Sequence, residues 1–424
     1  MSEMTAMRIV NVGNVSQVDR GRTRLPIALV TVVVVAEAAV LLLRPRGGVI
    51  DPAPVSARSY FSGEELARAR DFRGPQLALF AGQAAVELGV LVWLVRRPPR
   101  RLRGPFRRPL IAGSAAGAAL SVALTVAPLP LAAIARQRSI DVGLTTQSWG
   151  GWVGDLVKST AIGAVFAAAG AALLLALMRR FPRGWWLPGS AAVVAVSAGF
   201  LYVGPVVLDP IFNRFEPLPQ GRTRTDVLEL ARRAGVKVGQ VYEVDASRRT
   251  TAANAYVTGL GRTKRVVLYD TLLKRFSRAE TNLVVAHELG HVHYRDVPRG
   301  LLYLVLVAPA ALFAAARLTE RWRPPEARPG APATLPAAAL ALGLVAFGTS
   351  TIANQLSRRV EQRADSYSLK LTNEPSPFIS SEKRLAVQNV SDPDPPDWQT
   401  FLLATHPPTI ERIGTAVAFE RGAR

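Results

Sequence analysis

At 424 residues, 49% of them hydrophobic and with a mean hydropathy of +0.18, the chain could form two or three soluble domains but is too apolar for water to be its only solvent. Its 52 Lys and Arg against 31 Asp and Glu give a net charge of +21, but the arginines cluster beside apolar segments, as in RRPPRRLRGPFRRP from Arg96 to Pro109. No helix-turn-helix, zinc-finger or RNA-binding signature accompanies them, so an anionic lipid membrane, not nucleic acid, is the expected partner. The lack of cysteine excludes disulfides, a Cys nucleophile and thiolate metal ligands, so any transition-metal site must be built from His and carboxylates.

Seven apolar stretches, at 26–43, 76–95, 111–135, 160–178, 187–208, 300–316 and 333–352, approach the roughly 20 residues a helix needs to cross a hydrocarbon core. The first follows Arg20, Arg22 and Arg24; its apolar run is long and lacks a small-x-small exit, which predicts a retained anchor helix and not a cleaved signal. Prolines break the end of the third. Glu37 and Glu87 lie inside such stretches, where a carboxylate costs a few kcal/mol unless paired or wet; a water-lined chamber would accommodate both, as would a protonated Glu or one that reaches the interface. The expected organisation is an N-terminal membrane region of about five helices over 1–208, then a domain over 209–424 interrupted by two more membrane helices.

From DPIFNRFEPLPQG at 209–221 the composition becomes that of a soluble domain. TRTDVLELARRAG has the spacing of an amphipathic helix with a Gly stop. QVYEVDAS predicts a strand, and AYVTGLGRTKRVVLYD a hairpin with a Gly-containing connection. In SRAETNLVVAHELGHVHYRD, Ser277 and Glu280 stand in capping-box register and no breaker precedes Gly290, so the HELGH run lies on a helix. NQLSRRVEQRADSYSLKLTN is a long helix, and the chain ends in helix, a Pro/Asp-rich loop, and a last helix after a Pro pair.

Three of the four histidines fall in HELGHVH. Residues four apart share a helix face, so His287 and His291 can reach one ion, and Zn²⁺ accepts two such nitrogens with room for a carboxylate and a water. Glu288, turned about 100° around the helix, stands beside that position as a general base for a water attacking a peptide carbonyl. H-E-x-x-H arises by chance in about one chain in a hundred of this length; here His is scarce and the helical context is present. His293 points to another face. The third ligand is open between His406 and Glu361, the latter with Asp365 one turn later.

DPIFNRFEPLPQG, NAYVTGLGRTKRVVLYDTLL, AHELGHVHYRD, SRRVEQRADSYSLKL and THPPTIERI, in this order, resemble the type I CAAX prenyl endopeptidases of the gluzincin class, closely over about 205–420. The resemblance implies a mostly α, multi-pass membrane protein whose seven or so helices enclose a chamber, with a zincin-like α+β metalloprotease domain containing a small sheet. It implies one zinc per chain on His287, His291 and Glu361, with Glu288 as base and Asp365 orienting the ligands. Asn254 and Ala255 would lie on an edge strand that binds substrate backbone, and His406 and Arg412 would stabilise the oxyanion. Ala252 and Ala253 replace the His-Ser that often precedes N-A-Y, and the HELGHVHYRD form is closer to bacterial relatives. The implied activity is therefore peptide hydrolysis on a peptide or membrane-associated protein, prenylated or not.

The expected location is the cell membrane. The family topology puts the peptidase part on the cytoplasmic side, whereas the seven arginines of the loop after the second stretch, counted by the positive-inside rule, put it outside; the family topology is preferred. The competing function is a membrane scaffold or channel with a structural metal. Such a site would be closed by four protein ligands, where this one offers three and a positioned Glu.

Overall fold

The computed structural model describes residues 15–102, 106–259 and 264–422. The middle of the basic loop and the connection of the expected hairpin lie outside them, as do the side chains of Arg20, Arg22 and Arg24.

The membrane region comprises α1 (Val15–Leu43), α2 (Gly63–Arg96), α3 (Pro109–Val126), α4 (Leu129–Asp141), α5 (Trp149–Arg180) and α6 (Trp186–Val203), which runs on through a π-turn into the short α7 (Asp209–Phe212). The rest of the chain follows: β1 (Phe215–Pro217), α8 (Arg222–Arg233), β2 (Gln240–Val244), β3 (Ala255–Thr258), β4 (Arg265–Tyr269), α9 (Asp270–Arg275), α10 (Arg278–His293), α11 (Asp296–Trp322), α12 (Leu335–Thr372), α13 (Pro375–Gln388), α14 (Asp397–Leu403) and α15 (Thr409–Gly422). Among the described residues six helices are long and apolar enough to cross a membrane, and a seventh span arises if α6 and its continuation, bent by 46°, count as one. These coincide with the seven apolar stretches. The third stretch divides because Pro128 and Pro130 cannot continue a helix interior: α3 stops at Val126 and α4 restarts at Leu129.

The outer helices expose apolar side chains that only lipid would cover, such as Val34, Trp93 and Val165, the last 68% exposed. Close approach between α3 and α5 depends on Gly117, where an added Cβ would stand 2.5 Å from the Ala171 Cβ and 2.7 Å from the Ala167 carbonyl oxygen. Between α2, α3, α5, α6, α11 and α12 lies a cavity of about 950 Å³. Its lining is mostly apolar, with Gln83, Glu87, Ser121, Thr125 and Ser197 as polar exceptions. Glu87 thus faces open volume, while Glu37 accepts a hydrogen bond from Gln355 Nε2 at 3.1 Å.

The C-terminal part has a four-stranded mixed sheet in the order β1-β2-β4-β3, with β2 and β4 parallel and the outer pairs antiparallel. The expected hairpin is β3–β4, and β3 is an edge. The strand β1, in the FEP of the preceding loop, has no pattern that would announce it. Val227 and Leu230 of α8, Val241 of β2, Val266 and Leu268 of β4, and Val285 and Leu289 of α10 form the core beneath the sheet.

Candidate metal and catalytic site

The α10 helix is started by its capping box: the Ser277 side chain accepts from the Glu280 amide and the Glu280 carboxylate accepts from the Ser277 amide. Each residue turns the helix by about 100°, so Val285 and Leu289 bury toward the sheet while His287 and His291 look the other way, toward α12. Gly290 lets α12 come close: a Cβ there would lie 3.2 Å from the Tyr367 ring and 3.4 Å from the Ala364 Cα. The α12 helix runs unbroken from an apolar first half into the polar EQRADS stretch, and so brings Glu361 and Asp365 against α10. The last apolar stretch and the following polar helix, distinct in the sequence, are one 38-residue helix.

One ligand atom each from His287, His291 and Glu361 lies within 4.8 Å of the others. His287 Nε2 is 3.2 Å from His291 Nε2 and 3.2 Å from Glu361 Oε2, and His291 Nε2 is 3.6 Å from Glu361 Oε1. Behind the histidines, His287 Nδ1 is 2.8 Å from Asp365 Oδ1 and His291 Nδ1 is 3.0 Å from Asp296 Oδ2. Carboxylates on both Nδ1 atoms favour the tautomer protonated there, the one that turns both Nε2 lone pairs toward each other and toward Glu361. Two imidazole nitrogens and a carboxylate converging at these distances are a donor set that fits a divalent cation.

Each supporting carboxylate has its own cation. Asp365, fully buried, accepts from Arg412 Nε at 2.9 Å and Nη2 at 2.6 Å, and Arg412 Nη1 is 2.7 Å from Glu382 Oε2. Asp296 pairs with Arg363, whose guanidinium lies 4.1 Å above the Tyr294 ring. Asp296 reaches back to His291 because Arg295 adopts a left-handed conformation, φ 56°, which reverses the chain between α10 and α11.

Asn254, His287, Glu288, Glu382, His406 and Arg412 line a cleft of about 100 Å³. Burial raises the Glu288 carboxyl above its ordinary range, against the pull of the neighbouring histidines. Burial lowers His406, whose Nε2 lies 3.4 Å from Glu361 Oε2 and whose Nδ1 lies 2.9 Å from the Thr405 hydroxyl. Burial works against the charge of Arg412, but Asp365 and Glu382 outweigh it and hold the guanidinium protonated. Burial pushes Glu382 up to about 7 in spite of Arg412.

Of the site residues singled out in the sequence, Asn254, His287, Glu288, His406 and Arg412 line the cleft, His291 and Glu361 converge with His287, and Asp365 stands behind it. Asn254 precedes edge strand β3, its carbonyl accepting from the Tyr269 amide, and Ala255 begins that strand. His293 is elsewhere: its Nδ1 is 3.1 Å from the Ala234 carbonyl, and its ring packs on Tyr294 and Tyr367. Sequence reasoning missed Asp296, Arg363 and Glu382. For Asp296 a signal existed in the HYRD end of the quoted motif, an acid five residues after His291; for Glu382, within SSEKRL, none did.

Residues 217–419 match the profile of peptidase family M48, and residues 118–214 match that of the CAAX prenyl protease N-terminal region, described as five membrane helices. The chain is 33% identical to the uncharacterized metalloprotease YhfN of Bacillus subtilis, over 69% of this chain and 70% of that one. It is 35% identical to CAAX prenyl protease 1 of Saccharomyces cerevisiae over 33% of this chain and 31% of that one. The crystal structure of S. mikatae Ste24p superposes with a TM-score of 0.73 at 19% identity, covering 93% of this chain and 98% of that one, which shows a shared fold. With two histidines and a glutamate converging on one point beneath a membrane-helix bundle, the chain belongs to peptidase family M48 and is a multi-pass membrane metallopeptidase.

Proposed function

We propose that the protein is a zinc-dependent endopeptidase that hydrolyses peptide bonds in peptides or membrane-associated proteins, with one Zn²⁺ held by His287, His291 and Glu361. The observation that carries this reading is the convergence of those three ligand atoms within 4.8 Å, with Glu288 in the same cleft. Zinc bound there would supply Lewis acidity to a water and to the substrate carbonyl. The Glu288 carboxylate takes the proton of the attacking water and returns it to the leaving amine.

The other residues bind and orient. Asp365 and Asp296 hold the two imidazoles in the Nε2-ligand tautomer. Strand β3, which Ala255 begins, offers the outer edge of the sheet to an extended substrate, and Asn254 binds its backbone at the mouth of the cleft. His406, exposed on one side, donates to the developing oxyanion. Arg412 lends positive charge to the cleft wall while its donors keep Asp365 and Glu382 in place. In this reading residues 1–208 form the membrane part and 209–424 the peptidase part, interrupted by α11 and α12. The surrounding bilayer is anionic, matching the basic loops, and the cleft faces the cytoplasm. A C-terminal tag that a protease cleaves from outside intact cells would reject that orientation.

Glu361→Ala tests the reading: the purified variant should lose its zinc and its peptidase activity, measured by elemental analysis and hydrolysis of a denatured protein. Unchanged zinc content would show that Glu361 is not a ligand. Among the described residues three ligand atoms converge, with Glu288 in the adjoining cleft, which does not favour the closed four-ligand site that a scaffold or channel would need.

A further inference from the structure

The segment that leads into β3 is held from the membrane side. After α4, Gly143 adopts φ 74° and turns the chain, so that the loop over 144–147 runs antiparallel to 249–251, with a β-bridge between Thr145 and Thr250. The Thr146 amide donates to the Arg249 carbonyl at 3.0 Å, and the Thr251 amide to the Leu144 carbonyl at 3.0 Å. The Thr251 hydroxyl donates to the Gly143 carbonyl at 2.9 Å and the Thr250 hydroxyl to the Leu144 carbonyl at 2.9 Å. Shortly beyond Thr251 come Asn254, on the wall of the metal cleft, and Ala255, the first residue of β3.

Side chains fasten the same place. Arg249 Nε is 2.9 Å from Asp155 Oδ2 of α5, and its Nη1 donates to Asn213 Oδ1, just after α7, at 2.8 Å. Gln147 Nε2 donates to Asp155 Oδ2 at 2.6 Å, so one carboxylate ties loop and segment together. The loop is stiffened by the buried Arg136 of α4, which donates to the Ser148 carbonyl at 3.1 Å and whose guanidinium lies 5.0 Å and 5.5 Å from the Trp149 and Trp152 rings. Trp152 and Leu156, on either side of Asp155 along α5, line the large membrane cavity. The segment is held from the sheet side by the Thr271 hydroxyl, which donates to the Ala252 carbonyl at 2.7 Å. As an edge strand β3 pairs with β4 alone.

We propose that Arg249 and Asp155 are positioning residues for substrate binding: through the segment between them and β3 they fix Asn254 and the strand edge where an extended peptide must lie to present its backbone to the metal cleft. The proposal rests on the reading of β3 as the substrate strand. A guanidinium shared between a carboxylate and an amide oxygen is set in direction as well as distance. Both side chains of the pair are only 22% exposed, so water screens it less than a surface ion pair. Precision matters here because a misplacement of about 1 Å at a reacting site costs about a hundredfold. An irregular segment ahead of a short edge strand has no ladder of its own to supply that precision, and its backbone groups are satisfied from outside instead. Helix α5 thus enters peptide binding although, among the described residues, the cleft is lined by none from α1 to α7.

The test measures binding, so that it does not depend on turnover. Full-length, zinc-loaded Glu288→Gln protein in phosphatidylcholine nanodiscs is titrated, by fluorescence anisotropy, with a labelled decapeptide of alternating Ala and Thr and with the same peptide N-methylated at its central amides. Strand addition uses those amides, so the plain peptide should bind about tenfold more tightly. Adding Arg249→Gln or Asp155→Asn should bring that ratio toward one by weakening the plain peptide alone, with zinc content unchanged, and the two together should do no more than either. Arg249→Lys, which keeps a cation beside Asp155, should restore most of the preference. Thr251→Val removes one loop contact and no charge, and should lower the ratio by about threefold; this milder change keeps the test open if the charge variants fail to fold. A ratio that survives all of these substitutions overturns the proposal. Equal weakening of both peptides, with zinc lost, marks a merely structural role and also overturns it, as does equal binding of the two peptides by the parent protein. Whether wild-type protein cleaves the plain peptide is a separate readout, and its failure would count against the proposed function instead.

Discussion

The membrane half and the peptidase half use opposite materials. Among α2, α3, α5 and α6, small residues such as Gly117 and Ala171 let backbones touch on one side and leave a cavity of about 950 Å³ on the other. Around α10 and α12 the space is nearly filled, the cleft is about 100 Å³, and buried charges are locked in pairs: His287 with Asp365, Asp365 with Arg412, Arg412 with Glu382. The first half is built around volume and the second around fixed charge. Substitutions should therefore act differently in the two.

The largest effect is expected at Asp365. Changing it to Asn removes the acceptor that fixes the His287 tautomer and leaves Arg412 with one buried counter-charge; breaking such a pair costs about 3–5 kcal/mol. Zinc affinity, measured by chelator competition, should fall toward a hundredfold, the upper end for lost support of a ligand. Asp296→Asn should cost nearer tenfold, because His291 is more exposed than His287 and Asp296 also answers to Arg363. Equal losses at both positions would show that burial of the pair does not set its worth.

Gly117→Val probes the other material. Its side chain would collide with Ala171 and the Ala167 carbonyl and drive α3 from α5. A loss of about 1–3 kcal/mol in unfolding stability is expected, with zinc affinity unchanged. A change in zinc affinity would mean that volume in the membrane half and charge in the peptidase half are not separable.

The smallest effect concerns Glu382. Burial raises its carboxyl from an ordinary 4.5 to about 7, so the folded state holds this proton more tightly than the unfolded state. Its contribution to stability is then present below about 4.5 and is lost as pH rises through about 7. Glu382→Gln keeps an acceptor for Arg412 and removes that dependence. Thermal unfolding in detergent should flatten between those limits in the variant; a slope identical to the wild type would assign the dependence to other groups.

Much of this contrast was legible in the chain. The spans are long apolar runs, which hydropathy reads directly, and α10 carries a capping box and an i, i+4 pair of histidines, both local signals. What stayed hidden depends on partners distant in sequence or on single backbone angles. Asp296 supports His291 only because Arg295 turns left-handed, and an arginine does not announce a positive φ. Glu382 looks like a solvated acid in SSEKRL until α15 delivers Arg412 against it. That α12 is one helix, apolar through its first half and ligand-bearing in its second, followed from no breaker between the two runs; yet the change in composition made them read as separate elements.

The account stands most directly on zinc content and peptide hydrolysis measured side by side for wild-type and Glu288→Gln protein reconstituted in phosphatidylcholine vesicles. It predicts one zinc per chain in both, with hydrolysis in the wild type and a loss of at least about a hundredfold in the variant. Full hydrolysis by Glu288→Gln, or loss of its zinc, would contradict it.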